Sequence, residues 1–223
     1  FWWLHILGIL FFLNYLYYSK HLHILLAFPN TYYSNLEEKG KFGVLESVKN
    51  EVMLMFYPER ASNENNQVEK FGASDVLDLN WVQLMNAYSC TECGRCTSEC
   101  PANQTGKKLS PRKIMMDTRD RLEKVSLNIS KNKGEFIDDG DRLLDNYISK
   151  EELWACTSCN ACVEACPINI DPLSIIMDMR QYLIMEESSA HPDLNNIINN
   201  IENNGAPGPF NLLARDLWAQ ETY

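Results

Sequence analysis

The sequence predicts a mainly α protein: one apolar helix able to cross a membrane, then an acidic domain of helices gathered around two cysteine-rich turns. Three observations predict it. Residues 1–28 are almost wholly apolar, with Lys20 the only formal charge. All eight cysteines fall in two runs, CTECGRCTSECP at 90–101 and CTSCNACVEACP at 156–167. Behind each run the chain repeats itself, PRKIMMDTRDRL at 111–122 answering PLSIIMDMRQYL at 172–183. Four regions follow: the apolar helix 1–28, a connector 29–74, the cysteine-bearing domain 75–190 and a docking segment 191–223.

The apolar stretch FWWLHILGILFFLNYLYYSKHLHILLAF is long enough as one helix to cross a hydrocarbon core of about 30 Å. Trp2, Trp3, Tyr17 and Tyr18 suit its interfaces, and Lys20 is its inside-facing charge. Phe1 begins inside the run with no signal-peptide layout, which creates the expectation that further membrane helices precede it. Ionisable groups inside a membrane helix point to function. His5 and His23 are 18 residues apart. On one continuous helix that is five turns, so both imidazoles share a face about 27 Å apart, while His21 points about 160° away from His5. Two stacked haems would suit that geometry, each taking its second axial ligand from another helix.

From Pro29 to about Asn80 the chain reads as a polar connector, broken at Gly40, Gly43 and Gly72 and carrying the solvated ASNENNQVEK loop. Within it EVMLMFY fits a short buried strand or a helical turn equally well. Ser74 or Asp75 is the expected cap of a helix whose Val76, Leu77, Trp81, Leu84 and Met85 lead at helical spacing into Cys90.

Each cysteine run reads C-x-x-C-x-x-C-x-x-x-C-P. Three thiolates at this spacing reach three iron corners of one 4Fe-4S cubane, and the fourth is carried to a second cluster. The rule gives one cluster Cys90, Cys93, Cys96 and Cys166, and the other Cys156, Cys159, Cys162 and Cys100. Zinc knuckles and secreted disulfide frameworks call for other spacings. Thiolate ligands imply a reducing compartment, hence the cytoplasmic side of an inner membrane. The formal net charge is −10. Two clusters at about −2 each take the assembled domain to roughly −14, which excludes nucleic acid as a natural partner.

Ser110 and Asp171 precede Pro111 and Pro172, the usual start of a helix, so helices should flank both clusters. Their Met and Ile side chains should shield the cubanes, with backbone N–H donors to sulfur setting the potential. Arg119 and Arg180, at matching places, could balance cluster or carboxylate charge. The 55 residues between Cys100 and Cys156 leave room for two or three helices, the last begun by a Ser149/Glu152 capping box.

The H-x17-H spacing with Y-S-K-H-L-H-I resembles the last haem-binding helix of the cytochrome b subunit of respiratory nitrate reductases and the membrane subunit of heterodisulfide reductases. That resemblance implies b haems at His5 and His23, exchanging electrons with a quinone. Residues 75–185 are similar to the α-helical ferredoxin domain of heterodisulfide reductase and of succinate and anaerobic glycerol-3-phosphate dehydrogenases. NNIENNGAPGPFNLLARDLWA resembles the N-x-E-x-x-G-x-P…R-x-x-W segment that follows the clusters there. The cysteine-rich CCG modules of several members are absent, since all eight cysteines are already used. The expected role is electron relay inside an oligomeric complex, between quinone and a separate catalytic subunit of flavin or CCG type. No substrate active site is legible in this chain. A haem-free anchored ferredoxin and a scaffold with redox-silent clusters are the rival readings.

Overall fold

The computed structural model describes residues 1–19, 21–36, 38, 46–59, 70–211, 214 and 217–220. Lys20, Gly40, Gly43, most of the 61–70 loop and Arg215 of the R-x-x-W segment lie outside the described residues. The described chain is helical, with an isolated bridge between Leu144 and Ile148 as its only extended pairing. It divides into two compact units, residues 1–182 and 183–223.

The first unit opens with α1 (Trp2–Leu16) and α2 (Leu22–Tyr32). This corrects the single helix expected over 1–28. Fifteen residues of α1 rise only about 22 Å, short of the hydrocarbon core. No described helix is long and apolar enough to cross a membrane. Ser19 makes the break: its hydroxyl donates to the Leu16 carbonyl at 2.9 Å and accepts from the His21 N–H at 3.2 Å. Tyr18 and Ser19 bond carbonyls three residues back rather than four, so the last turn tightens and ends. The Phe12 and His21 rings then lie 5.9 Å apart, although nine residues of straight helix rise about 13.5 Å. His5 and His23 therefore stand on different helices, and the five-turn alignment is lost.

Helix α2 continues through Pro29, past the expected start of the connector, and ends on a buried anchor. Asn30 is fully buried and donates to the Ile168 carbonyl at 2.8 Å, while Tyr33 stacks edge-on against Trp81 at 4.8 Å. The ambiguous EVMLMFY stretch belongs to a helix, α3 (Glu46–Phe56), whose Met55 and Phe56 are exposed. Asp75 caps only the single 3-10 turn Val76–Asp78; Asn80 and Gln83 form the capping box that starts α4 (Trp81–Ser89).

After the short α5 (Arg95–Ser98) and α6 (Pro101–Gln104) comes α7 (Pro111–Lys131), with Ser110 as cap and Pro111 in its first turn, as the sequence indicates. The expected Ser149/Glu152 box begins α8 (Lys150–Ala155), α9 (Ala161–Glu164) lies within the second cysteine run, and Asp171 caps α10 (Pro172–Met185) through the Ser174 N–H. The two repeats fill the core from equivalent positions. Ile114 and Ile175, Met115 and Ile176, and Thr118 and Met179 are all buried.

Two polar anchors hold this core in register. Arg121 is fully buried and pairs with Asp75 at 2.7 Å and Asp139 at 2.6 Å, so α7, the Asp75 turn and the 139–141 loop meet on one guanidinium. On the other side the Asp178 carbonyl accepts from Ala73, and its carboxylate accepts from Gln83 at 2.6 Å. Gly72 sits against this helix with φ +73, where a Cβ would stand 2.2 Å from the Asp178 carbonyl oxygen and 2.5 Å from the Tyr182 nitrogen. Both atoms are backbone and neither can swing away. Gly72→Ala is expected to destabilise the fold by more than about 1 kcal/mol, read from chemical denaturation. An unchanged midpoint would mean that the 70–74 segment is not packed on α10 as described.

The second unit contains α11 (Pro192–Asn204) and the short α12 (Leu217–Gln220). His191 caps α11 and Gly205, at φ +64, closes it by donating to the Ile201 carbonyl.

Candidate iron-sulfur centre

The two cysteine runs adopt the same backbone path, and two left-handed residues shape each. In the first they are Glu92 at φ 59 and Gly94 at φ 83; in the second, Ser158 at φ 56 and Asn160 at φ 61. This alternation bends the chain around a concave space with its N–H groups turned inward, which suits an anionic sulfur cluster. Those donors reach sulfur. The Ser158 N–H lies 3.4 Å from Cys156 Sγ, and Glu92 donates likewise to Cys90.

Distant cysteines are brought together. One cavity of about 90 Å³ is lined by Cys90, Cys93, Cys96 and Cys166, with Cys162, Met115, Ile168 and Ile170 closing it and His23 at its edge. The Cys90 thiol is pushed up by burial and by the nearby Cys96 and Cys166; that of Cys156 is pushed up by burial and by the nearby Cys100 and Cys159. Burial pushes Cys162 up to about 12. These thiols are neutral without metal, so binding iron means releasing their protons. All eight cysteines are free of disulfides. Among the described residues no three His, Cys, Asp or Glu side chains converge as ligands of a single metal ion. A 4Fe-4S cubane takes one thiolate at each of four separate iron corners. The donor chemistry fits such clusters, which supply reversible one-electron transfer when bound. Exposure differs by position: Cys93 and Cys159, second in their runs, are exposed, while Cys100 and Cys162 are buried.

Residues 89–170 match a 4Fe-4S dicluster domain. That stretch contains all eight cysteines. Over 99% of its length the chain is 29% identical to a probable iron-sulfur-binding oxidoreductase, FadF, of Bacillus subtilis (strain 168), covering 33% of that protein. It is 33% identical over 67% of its length to a probable membrane-anchored ferredoxin of Chromohalobacter salexigens, covering 24% of it. It is 26% identical over 99% of its length to an EtfAB:quinone oxidoreductase of Syntrophomonas wolfei, covering 31% of it. The chain thus spans a third or less of these relatives. Shorter matches reach heterodisulfide reductase C subunits, so the ferredoxin-like iron-sulfur domain is related to the family that the motifs resemble.

Some site residues were hidden in the sequence. Asn30 ties α2 to the loop after Cys166, and no motif marks it. Beside Cys90 a larger cleft of about 830 Å³ is bounded by Tyr17, His23, Tyr88, Glu92 and Arg119. Of the two arginines at matching places, Arg119 meets the Glu92 carboxylate at 2.8 Å, and Arg180 meets the Leu153 and Cys156 carbonyls. His5 stands apart on α1, and His21 faces Phe12 and His23.

Proposed function

We propose that this chain is an electron-relay segment of a membrane-bound oxidoreductase, carrying two 4Fe-4S clusters with crossed ligation. Cys90, Cys93, Cys96 and Cys166 hold the first cluster; Cys156, Cys159, Cys162 and Cys100 hold the second. The observation that carries the reading is that Cys166, remote in sequence, lines the cavity of the first run beside its three leading cysteines. Electrons enter from a quinone by way of b haems and leave to a catalytic partner, with the cluster domain on the cytoplasmic side. Membrane attachment is supported by α1, whose Trp2, Trp3, Leu4, Leu7 and Phe11 are all more than 60% exposed, an arrangement that water disfavours. The haem part is supported by the sequence resemblance and by the cleft at His23, whose volume lies in the range of ligand sites, roughly 300–1,000 Å³. His23 is the ligand nearer the clusters and His5 that of the distal haem.

Anaerobic purification tests each part separately. Analysis of non-haem iron is expected to give about eight Fe per chain, and the reduced optical spectrum of the protein in its membrane complex should show a b-type α band that His23→Ala weakens by one haem's share and His5→Ala by the other. Eight irons without that band would leave a haem-free membrane-anchored ferredoxin; fewer than four irons would remove the relay altogether.

A further inference from the structure

The duplicated helices α7 and α10 place an arginine at the same point behind each cysteine run, and each grips the same residue of its loop by different means. Arg119 Nη1 meets the Glu92 carboxylate at 2.8 Å; Arg180 Nη1 donates to the Ser158 hydroxyl at 3.3 Å. Glu92 and Ser158 are the left-handed residues whose backbone N–H groups donate to the first sulfur of each run, Cys90 and Cys156. A left-handed non-glycine residue is strained and persists where its surroundings hold it. The arginines supply that hold.

Their charges are not equivalent. Arg119 faces Glu92 and, at 3.4 Å, Asp120, so two carboxylates offset its charge next to the first loop, although its field still reaches Cys90. Arg180 donates its Nε to the Leu153 carbonyl at 3.0 Å and its Nη2 to the Leu153 and Cys156 carbonyls, with the Trp154 ring 5.1 Å away. Among the described residues it meets no carboxylate. A cation bonded only to neutral groups keeps its field, and that field falls on Cys156. Reduction adds one electron to a cluster, and an uncancelled cation nearby stabilises the added negative charge.

We infer that Arg119 and Arg180 are positioning residues that set the reduction potentials of the two clusters unequally: Arg180 raises the potential of the cluster held by Cys156, Cys159 and Cys162, whereas Glu92 offsets the same effect of Arg119 at the other. The inference rests on the cluster reading above.

The test is a mediated redox titration of the whole protein followed by EPR. Wild type should show two one-electron signals. Glu92→Gln removes the nearer of the two carboxylates that offset the Arg119 charge and should raise the first cluster's midpoint by about 59 mV, a tenfold change in its reduced-to-oxidised ratio at fixed potential. The second midpoint should stay in place. Arg180→Gln should lower the second midpoint, and Arg180→Lys, which keeps the charge, should restore most of it. Should Arg180→Gln fail to retain its cluster, Glu92→Gln alone decides. Midpoints unmoved in variants that keep both clusters overturn the inference while leaving the cluster reading intact. Absence of the two signals in wild type overturns the cluster reading, and the inference with it.

Discussion

Cys100→Ser is expected to halve the non-haem iron content, from about eight to about four Fe per chain, by removing the cluster that lies mostly in the other half of the sequence. Cys100 is buried, and its thiol acts on Cys156 and Cys162 rather than only on its own run. A serine hydroxyl there is nearly isosteric but a poor iron ligand, so the fold should survive while one cubane loses a corner. The signal that disappears must belong to Cys156, Cys159 and Cys162, and Cys156→Ser should remove the same one. If Cys100→Ser instead removed the signal sensitive to Cys90→Ser, each run would hold its own cluster and the crossed assignment would be wrong.

The second large effect is on stability. Arg121→Met should cost about 3 kcal/mol, near the lower end of values for breaking a buried ion pair, because Asp75 and Asp139 keep some access to water that Arg121 lacks. The change also leaves Asp75 without its guanidinium partner while it still accepts from the Leu143 N–H. A pH dependence accompanies it. The hydrogen bond from Arg121 holds the Asp139 carboxyl below the usual carboxylate range. A carboxyl lowered in this way contributes stability that is present above its unfolded pKa and is lost as pH falls through the folded value. Wild type should therefore lose stability on acidification below the ordinary carboxylate range, and Arg121→Met should lose less over the same interval. A variant with wild-type denaturation midpoint and an unchanged acid limb would show that the triad contributes nothing net.

Short-range signals were legible in the sequence and long-range ones were not. Ser110, Ser149 and Asp171 act on N–H groups three residues away, and a reader of the sequence sees both partners at once. The cysteine spacing is equally local, and so was the chemistry of the centre. The membrane helix failed because hydropathy measures only the apolar character of a stretch. Its continuity depended on one serine hydroxyl that bonds on both sides of the break. The spacing makes Ser74 or Asp75 the cap of one long helix, yet Asp75 caps a single turn and Asn80 restarts the chain five residues on. Nothing near Arg121 in the sequence signals its role, because its partner Asp75 is 46 positions away. The repeat did mark Arg119 and Arg180 as related, but the difference between them lies in Glu92 and Ser158, which share a position and not a chemistry.

The uneven exposure of the cysteines gives the two centres an inner and an outer side. Cys93 and Cys159 are open to solvent, and Cys100 and Cys162 are not. In a loaded centre the same pattern would leave the irons held by Cys93 and Cys159 nearest to solvent, and those held by Cys100 and Cys162 furthest from it.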